Sequence, residues 1–182
     1  MGVKTQILST MLKKISIIFL LIIGFSISTL NAQENNQNPE KELYAKNFIG
    51  KKAPDLNIEG WIIEAAETDG KFILVDFWAT WCGPCRRAIP ELNEWHHKYA
   101  DKLVIIGLSD ENKEKIKSMS SPKIEYANGY DTEGYLKNQL QVRGIPHVIL
   151  INPEGFIVWQ GFPKLPGFEL TPKVLEDLIG WN

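Results

Sequence analysis

Phe72-Ile73-Leu74-Val75-Asp76-Phe77-Trp78-Ala79-Thr80-Trp81-Cys82-Gly83-Pro84-Cys85 is the stretch from which the rest of this 182-residue chain can be read. Apart from Asp76, its first seven residues are apolar, β-branched or aromatic. Such a run predicts a strand covered on both faces, as at the centre of a parallel sheet. After Cys85 the period becomes helical, with Ile89, Leu92, Trp95 and Tyr99 on one stripe. A strand therefore passes directly into a helix, and the only two cysteines of the chain sit at the junction. Free N–H groups and the positive end of the helix dipole favour a thiolate at Cys82, which makes it the nucleophile. Cys85, one turn later, can reach the same sulfur from beneath. A dithiol held in this way attacks a disulfide, retains it as a mixed disulfide and releases it through the second thiol.

Other uses of two cysteines three apart fit less well. A structural staple closing so short a loop removes little unfolded-state entropy. A zinc site needs four ligands, and no second cysteine pair exists. His96 and His97 lie eleven or more residues along the helix from Cys85, roughly 16 Å at the helical rise. Haem attachment would require histidine at position 86, where Arg86 stands. A peroxidatic cysteine would be preceded by proline and by threonine or serine at positions held here by Val75 and Ala79. No metal and no external cofactor is expected; the redox group is the Cys82–Cys85 pair itself.

The segments Val75-Asp76-Phe77-Trp78-Ala79 and Trp81-Cys82-Gly83-Pro84-Cys85 resemble the thioredoxin active site, and over about residues 48–180 the chain is similar to the TlpA/ResA-like thiol–disulfide oxidoreductases of the bacterial cell envelope. Gly50-Lys51-Lys52-Ala53-Pro54-Asp55 resembles the entry segment of that group, and Pro90 stands where thioredoxins carry a proline inside the helix. The resemblance implies a thioredoxin fold of the α/β class. It has a central mixed sheet with helices on both faces and an N-terminal β extension.

Gly144-Ile145-Pro146-His147 is the second landmark. Proline is tolerated at the first residue of a strand, especially after a cis bond. By resemblance the Ile145–Pro146 bond is cis and faces the cysteines, and the Ile145 backbone pairs with an extended substrate segment. Trp81, Gly83, Pro84, Ile145, Pro146 and Gly161 are thereby expected to contact substrate. His147 stands where the family usually has threonine, and it is expected to be a partly exposed strand residue outside the mechanism.

Asp76 shares a strand face with Leu74 and Trp78, so its carboxyl should be buried and reluctant to ionise. Thioredoxins carry an aspartate at the same distance before the first cysteine. That likeness makes Asp76 the acceptor of the Cys85 proton, directly or through a water. The lysine that accompanies it in thioredoxins is replaced here by Gly107.

Elsewhere the chain alternates strands and helices, as an α/β sheet requires. Residues 103–108 read as a buried strand, the following segment to Met119 as a helix capped by Asp110 or Asn112, and 120–131 as turns. Residues 133–140 read as a short helix, 148–151 and 156–160 as strands, and Thr171-Pro172 as a helix start closed by Gly180. Residues 162–170 could form a lid or merely cover the core.

At the N-terminus, residues 1–32 hold Lys4, Lys13 and Lys14, no acid, and an apolar run over residues 15–30. This pattern is read as a signal peptide, with an uncleaved anchor as the alternative. Residues 33–47 are read as a flexible tether and 48–182 as one thioredoxin-like domain. Without the three leader lysines, 17 basic side chains face 22 acidic ones, a balance that argues against nucleic-acid binding. The expected location is the periplasm or extracytoplasmic envelope, with membrane contact only if the leader stays uncleaved. The resemblance implies exported protein disulfides as substrates, those of apocytochrome c or of other envelope proteins, and a membrane electron donor. The favoured function is disulfide reduction; a net oxidase or isomerase and a non-enzymatic Cu(I) chaperone using Cys82 and Cys85 are the alternatives.

Overall fold

A computed structural model describes residues 43–65 and 67–181. The leader expected at 1–32, and the tether expected at 33–47 as far as residue 42, lie outside the described residues. The described chain forms a six-stranded sheet built from β1 (Gly60–Ile63), β2 (Phe72–Trp78), β3 (Leu103–Ser109), β4 (Ala127–Tyr130), β5 (His147–Ile151) and β6 (Ile157–Gly161). Its spatial order is β1-β4-β3-β2-β5-β6. The central β4-β3-β2 strands run parallel, while β1, β5 and β6 pair antiparallel with their neighbours. The sheet is therefore mixed, as expected.

The quoted stretch begins in the middle of this sheet. β2 pairs with β3 on one edge and β5 on the other, and it is buried from Leu74 onward. One face carries Leu74, Trp78, Ile105, Val148 and Leu150. On it pack α1 (Gly83–Lys98), α2 (Lys113–Lys117) and α4 (Pro172–Ile179) through residues such as Ile89, Leu92, Ile116 and Leu175. The other face carries Val75, Phe77, Ile149 and Ile157 under α3 (Tyr135–Gln139), with Ala53, Leu56 and Ile58 of the N-terminal segment beside it. The stripe predicted on α1 is the buried one, and Tyr99 caps it while donating its hydroxyl proton to Glu176 at 2.8 Å. Asn112 and Thr171 cap α2 and α4 with their side chains, and Gly180 ends α4 in the left-handed conformation that favours glycine.

Three local expectations need correction. Residues 127–130 form β4, although Ala-Asn-Gly-Tyr reads as a turn. Asn-Gly is a turn signal only where the chain is free to turn; here β3 and β1 supply ladders on both edges of these four residues. Gly129 is required there for space, since a Cβ would meet Ile58 Cγ2 at 2.7 Å and the Gly60 carbonyl oxygen at 3.3 Å. His147 is fully buried instead of partly exposed, because β6 and residues 44–48 close over the end of β5 that carries it. Its ring packs against those of Phe77 and Phe162. Finally, the packed chain begins before residue 48: the Lys46 N–H donates to Leu140 O, and the Arg143 N–H to Tyr44 O, each at 2.8 Å.

Replacing Gly129 by Ala should overpack the β1–β4 contact and cost about 1–3 kcal/mol of stability. Urea unfolding together with hydrogen exchange checks this, with the loss of protection concentrated at residues 60–63.

Candidate functional site

Cys82 is the N-cap of α1, and its sulfur accepts a hydrogen bond from the Cys85 N–H at 3.2 Å. The first turn thus directs backbone donors and the positive end of the dipole at this sulfur, which stabilises negative charge on it. Pro84 lies in that turn, where a missing N–H costs nothing. The two sulfurs are joined as a disulfide. Cys82 retains a 3% exposed edge and Cys85 none. An incoming thiolate or disulfide therefore reaches only Cys82, through a narrower opening than its position in the sequence suggests.

The loop between β2 and α1 is held by a residue that the sequence did not single out. Glu111, two residues past β3, accepts from the Thr80 N–H at 2.6 Å and from the Thr80 hydroxyl at 2.7 Å. This bidentate grip ties the ends of two parallel strands together just before Cys82. Its only trace in the sequence is an acid placed soon after a buried strand.

The Ile145–Pro146 peptide is cis and opens β5 beside the cysteines. Pro84, Ile145 and Pro146 line a groove of about 410 Å³, whose remaining wall is Tyr44, Phe162, Lys164, Leu165 and Pro166. Residues 162–166 thus form a groove wall, which is more specific than a general cover over the core. Tyr44 and Phe162 meet edge to face at 5.3 Å. Gln160 anchors the segment that carries Tyr44, accepting from the Phe48 N–H at 2.9 Å and donating to the Lys46 carbonyl at 3.0 Å. Trp81 projects at the rim with 70% of its surface exposed, and Gly83 begins α1. Gly161 is buried opposite Val148 at a φ of 145°; its neighbour Phe162, and not Gly161 itself, lines the groove. Phe162 falls in the segment read as a lid or cover, but its pairing with Tyr44 has no trace in the sequence, because nothing local links residues over a hundred positions apart.

Asp76 lies on the sheet face covered by α1, in a row across the strands with Val148, Gly107 and Asn128. It is 1% exposed, and neither carboxylate oxygen has a hydrogen-bond partner. Burial pushes its pKa up to about 7, because a charge in this apolar layer loses its hydration. The arrangement holds one sulfur with a narrow exposed edge, a second sulfur fully buried, a buried acid on the sheet face under the same helix that exchanges a proton near neutral pH, and an apolar groove lined by Pro84. Among the described residues no group of three or more His, Cys, Asp or Glu side chains is placed to hold a metal ion, and no helix is long and apolar enough to cross a membrane.

Residues 70–157 match the family model described as thioredoxin-like. The chain is 33% identical over 137 residues to the thiol-disulfide oxidoreductase ResA of Bacillus thuringiensis subsp. konkukian, covering 72% of this chain and 76% of that protein. It is 29% identical over 155 residues to the thiol:disulfide interchange protein DsbE of Yersinia pestis, covering 78% and 77%. Among solved structures it is similar to the thioredoxin domain of a thiol-disulfide oxidoreductase from Bacteroides vulgatus. That pair has a TM-score of 0.53 and 25% identity over 68% of this chain and 96% of the other.

The raised pKa of Asp76 has a stability consequence of definite sign. Between the unfolded value of 3.8 and about 7, the folded protein holds a proton that the unfolded chain releases. Stability from this group is therefore full below about pH 4, falls as pH rises to about 7, and is flat above. Three pH units at about 1.4 kcal/mol each give a loss on the order of 4 kcal/mol. Asp76→Asn should abolish that decline, so the variant gains on the native protein from pH 4 to pH 8 in urea-unfolding series of the oxidised forms.

Proposed function

The chain belongs to the thioredoxin-like family of thiol–disulfide oxidoreductases, and from that premise we propose that it reduces disulfides of exported proteins in the cell envelope. The observation that carries this reading is the Cys82–Cys85 pair at a helix N-terminus, exposed at one sulfur only and bordered by an apolar groove. The lysine-flanked apolar stretch in residues 1–32 supports export.

In the reduced protein, Cys82 thiolate attacks one sulfur of a client disulfide, and the other client sulfur leaves as a thiolate. A mixed disulfide now links Cys82 to the client. The Asp76 carboxylate takes the proton of the Cys85 thiol, and the Cys85 thiolate attacks Cys82 Sγ. The Cys82–Cys85 bond forms, the second client sulfur departs, and the proton held by Asp76 returns to it. Two electrons have passed from the dithiol to the client. A dithiol donor restores the reduced state, and a membrane carrier that brings electrons from the cytoplasm has the required chemistry.

The client backbone lies extended beside Ile145, where it adds a strand-like segment next to the start of β5. Pro84, Pro146 and Trp81 border it, and Gly161 leaves the adjoining β6 edge without a side chain. Tyr44, Phe162 and Leu165 offer apolar contact to residues flanking the client cysteine.

Cys85→Ala, expressed in the native envelope, should accumulate client proteins bonded to Cys82, whereas Cys82→Ala should trap none. Asp76→Asn should slow release of the mixed disulfide at pH 7 about tenfold or more, with attack by Cys82 little changed. Rapid-quench analysis with alkylation separates the two steps. The direction is tested by redox titration: a reductant should titrate closer to about −270 mV than to the roughly −120 mV of a strong oxidant. A value near the latter would reverse the proposed electron flow.

A further inference from the structure

The sheet face beneath α1 contains a second buried polar group that the reaction above does not use. Tyr126 is fully buried, and its hydroxyl, like both oxygens of Asp76, has no hydrogen-bond partner. Gly107 explains how the two come together. It is the direct cross-strand partner of Asp76, so their Cα–Cβ directions lie side by side on one face. A Cβ at Gly107 would stand 3.1 Å from Tyr126 Cε2, 3.1 Å from Trp78 Nε1 and 3.3 Å from Asn128 Oδ1. The tyrosine ring therefore occupies the space above residue 107, one strand from the carboxyl. Trp78 Nε1 already donates to Asn128 Oδ1 at 3.1 Å, and the phenol hydroxyl bonds to neither of them.

We propose that Tyr126 is a positioning residue for Asp76: its hydroxyl donates to the carboxylate, directly or across one water, whenever Asp76 ionises. The matching of needs is chemical. An ionised carboxylate only accepts hydrogen bonds, and a phenol held in its protonated form supplies a proton to share. Burial and the neighbouring Asp76 charge push the phenol pKa well above its ordinary value, so the donor stays protonated throughout the working pH range. The groups beside Asp76 on this face are Val148 of β5, Gly107 of β3, Asn128 of β4 and Tyr126, and the layer packed on the same face includes Cys85 of α1. Of these only Tyr126 and reduced Cys85 titrate. The phenol keeps a usable fraction of Asp76 ionised near neutrality, ready to take the Cys85 proton, while any side chain at position 107 would crowd the Tyr126 and Trp78 rings.

The catalytic consequence rests on the reading of Asp76 as the base for Cys85, and the test separates the two. Tyr126→Phe removes one oxygen and keeps the ring. In the oxidised protein, side-chain ¹³C NMR should show the Asp76 titration moved upward by about one pH unit. Resolution of the mixed disulfide at pH 7 should fall several-fold and recover at higher pH, and Tyr126→Phe should have no added effect in an Asp76→Asn background. The native protein gives a measurement independent of any variant: the Tyr126 ¹³Cζ signal should move with the Asp76 midpoint. An Asp76 midpoint unchanged by Tyr126→Phe, or a Tyr126 signal flat across pH 5–9, overturns the pairing. If both titrations move as stated but Asp76→Asn resolves at the native rate, the pairing stands and the base assignment falls.

Discussion

The cysteine pair and Asp76 are positioned by the burial of β2 on four sides. Ladders with β3 and β5 hold its edges, and apolar layers hold its two faces. A strand so enclosed has no freedom to slide, since a shift of one residue would send Leu74 and Trp78 to the opposite face. Its last residue therefore fixes where the chain emerges, and Glu111 secures the following loop. Cys82 is delivered to the start of a helix whose own stripe is locked into the same core. The reactive sulfur is held in place by a strand and a helix that share one buried core.

The same enclosure makes Asp76 costly. A carboxyl placed without a partner in an apolar layer is tolerated because it stays protonated through much of the pH range, and that property gives it chemistry near neutral pH. Stability and proton exchange are thus opposed at one residue. Gly107 contributes by absence of a side chain: Trp78, Tyr126 and Asn128 converge on the space above it and bring polar atoms into an otherwise apolar layer.

The groove depends on contacts that cross the whole chain. Tyr44 and Phe162 form one wall, and Gln160 ties residues 46–48 to β6 by two hydrogen bonds. His147, the residue after Pro146, is buried with its ring against those of Phe77 and Phe162. The N-terminal segment is consequently part of the surface next to the disulfide, in addition to the β1 strand it supplies at the far edge of the sheet.

By itself the sequence determined the central strand, the helix after it, the cysteine pair at their junction, the buried carboxyl and the proline at the head of β5. Each is local: apolar runs, a 3.6-residue stripe, a Cys-x-x-Cys spacing and an Ile-Pro pair register over a few residues whatever the rest of the chain does. Tertiary structure alone decided that Ala127–Tyr130 is a strand, that His147 is buried, that Tyr44 and Phe162 share a groove, and that Tyr126 and Asp76 flank Gly107. These depend on edges, close approaches and side-chain volumes supplied by distant segments, and a turn-like or polar residue carries no local record of the partner that will enclose it.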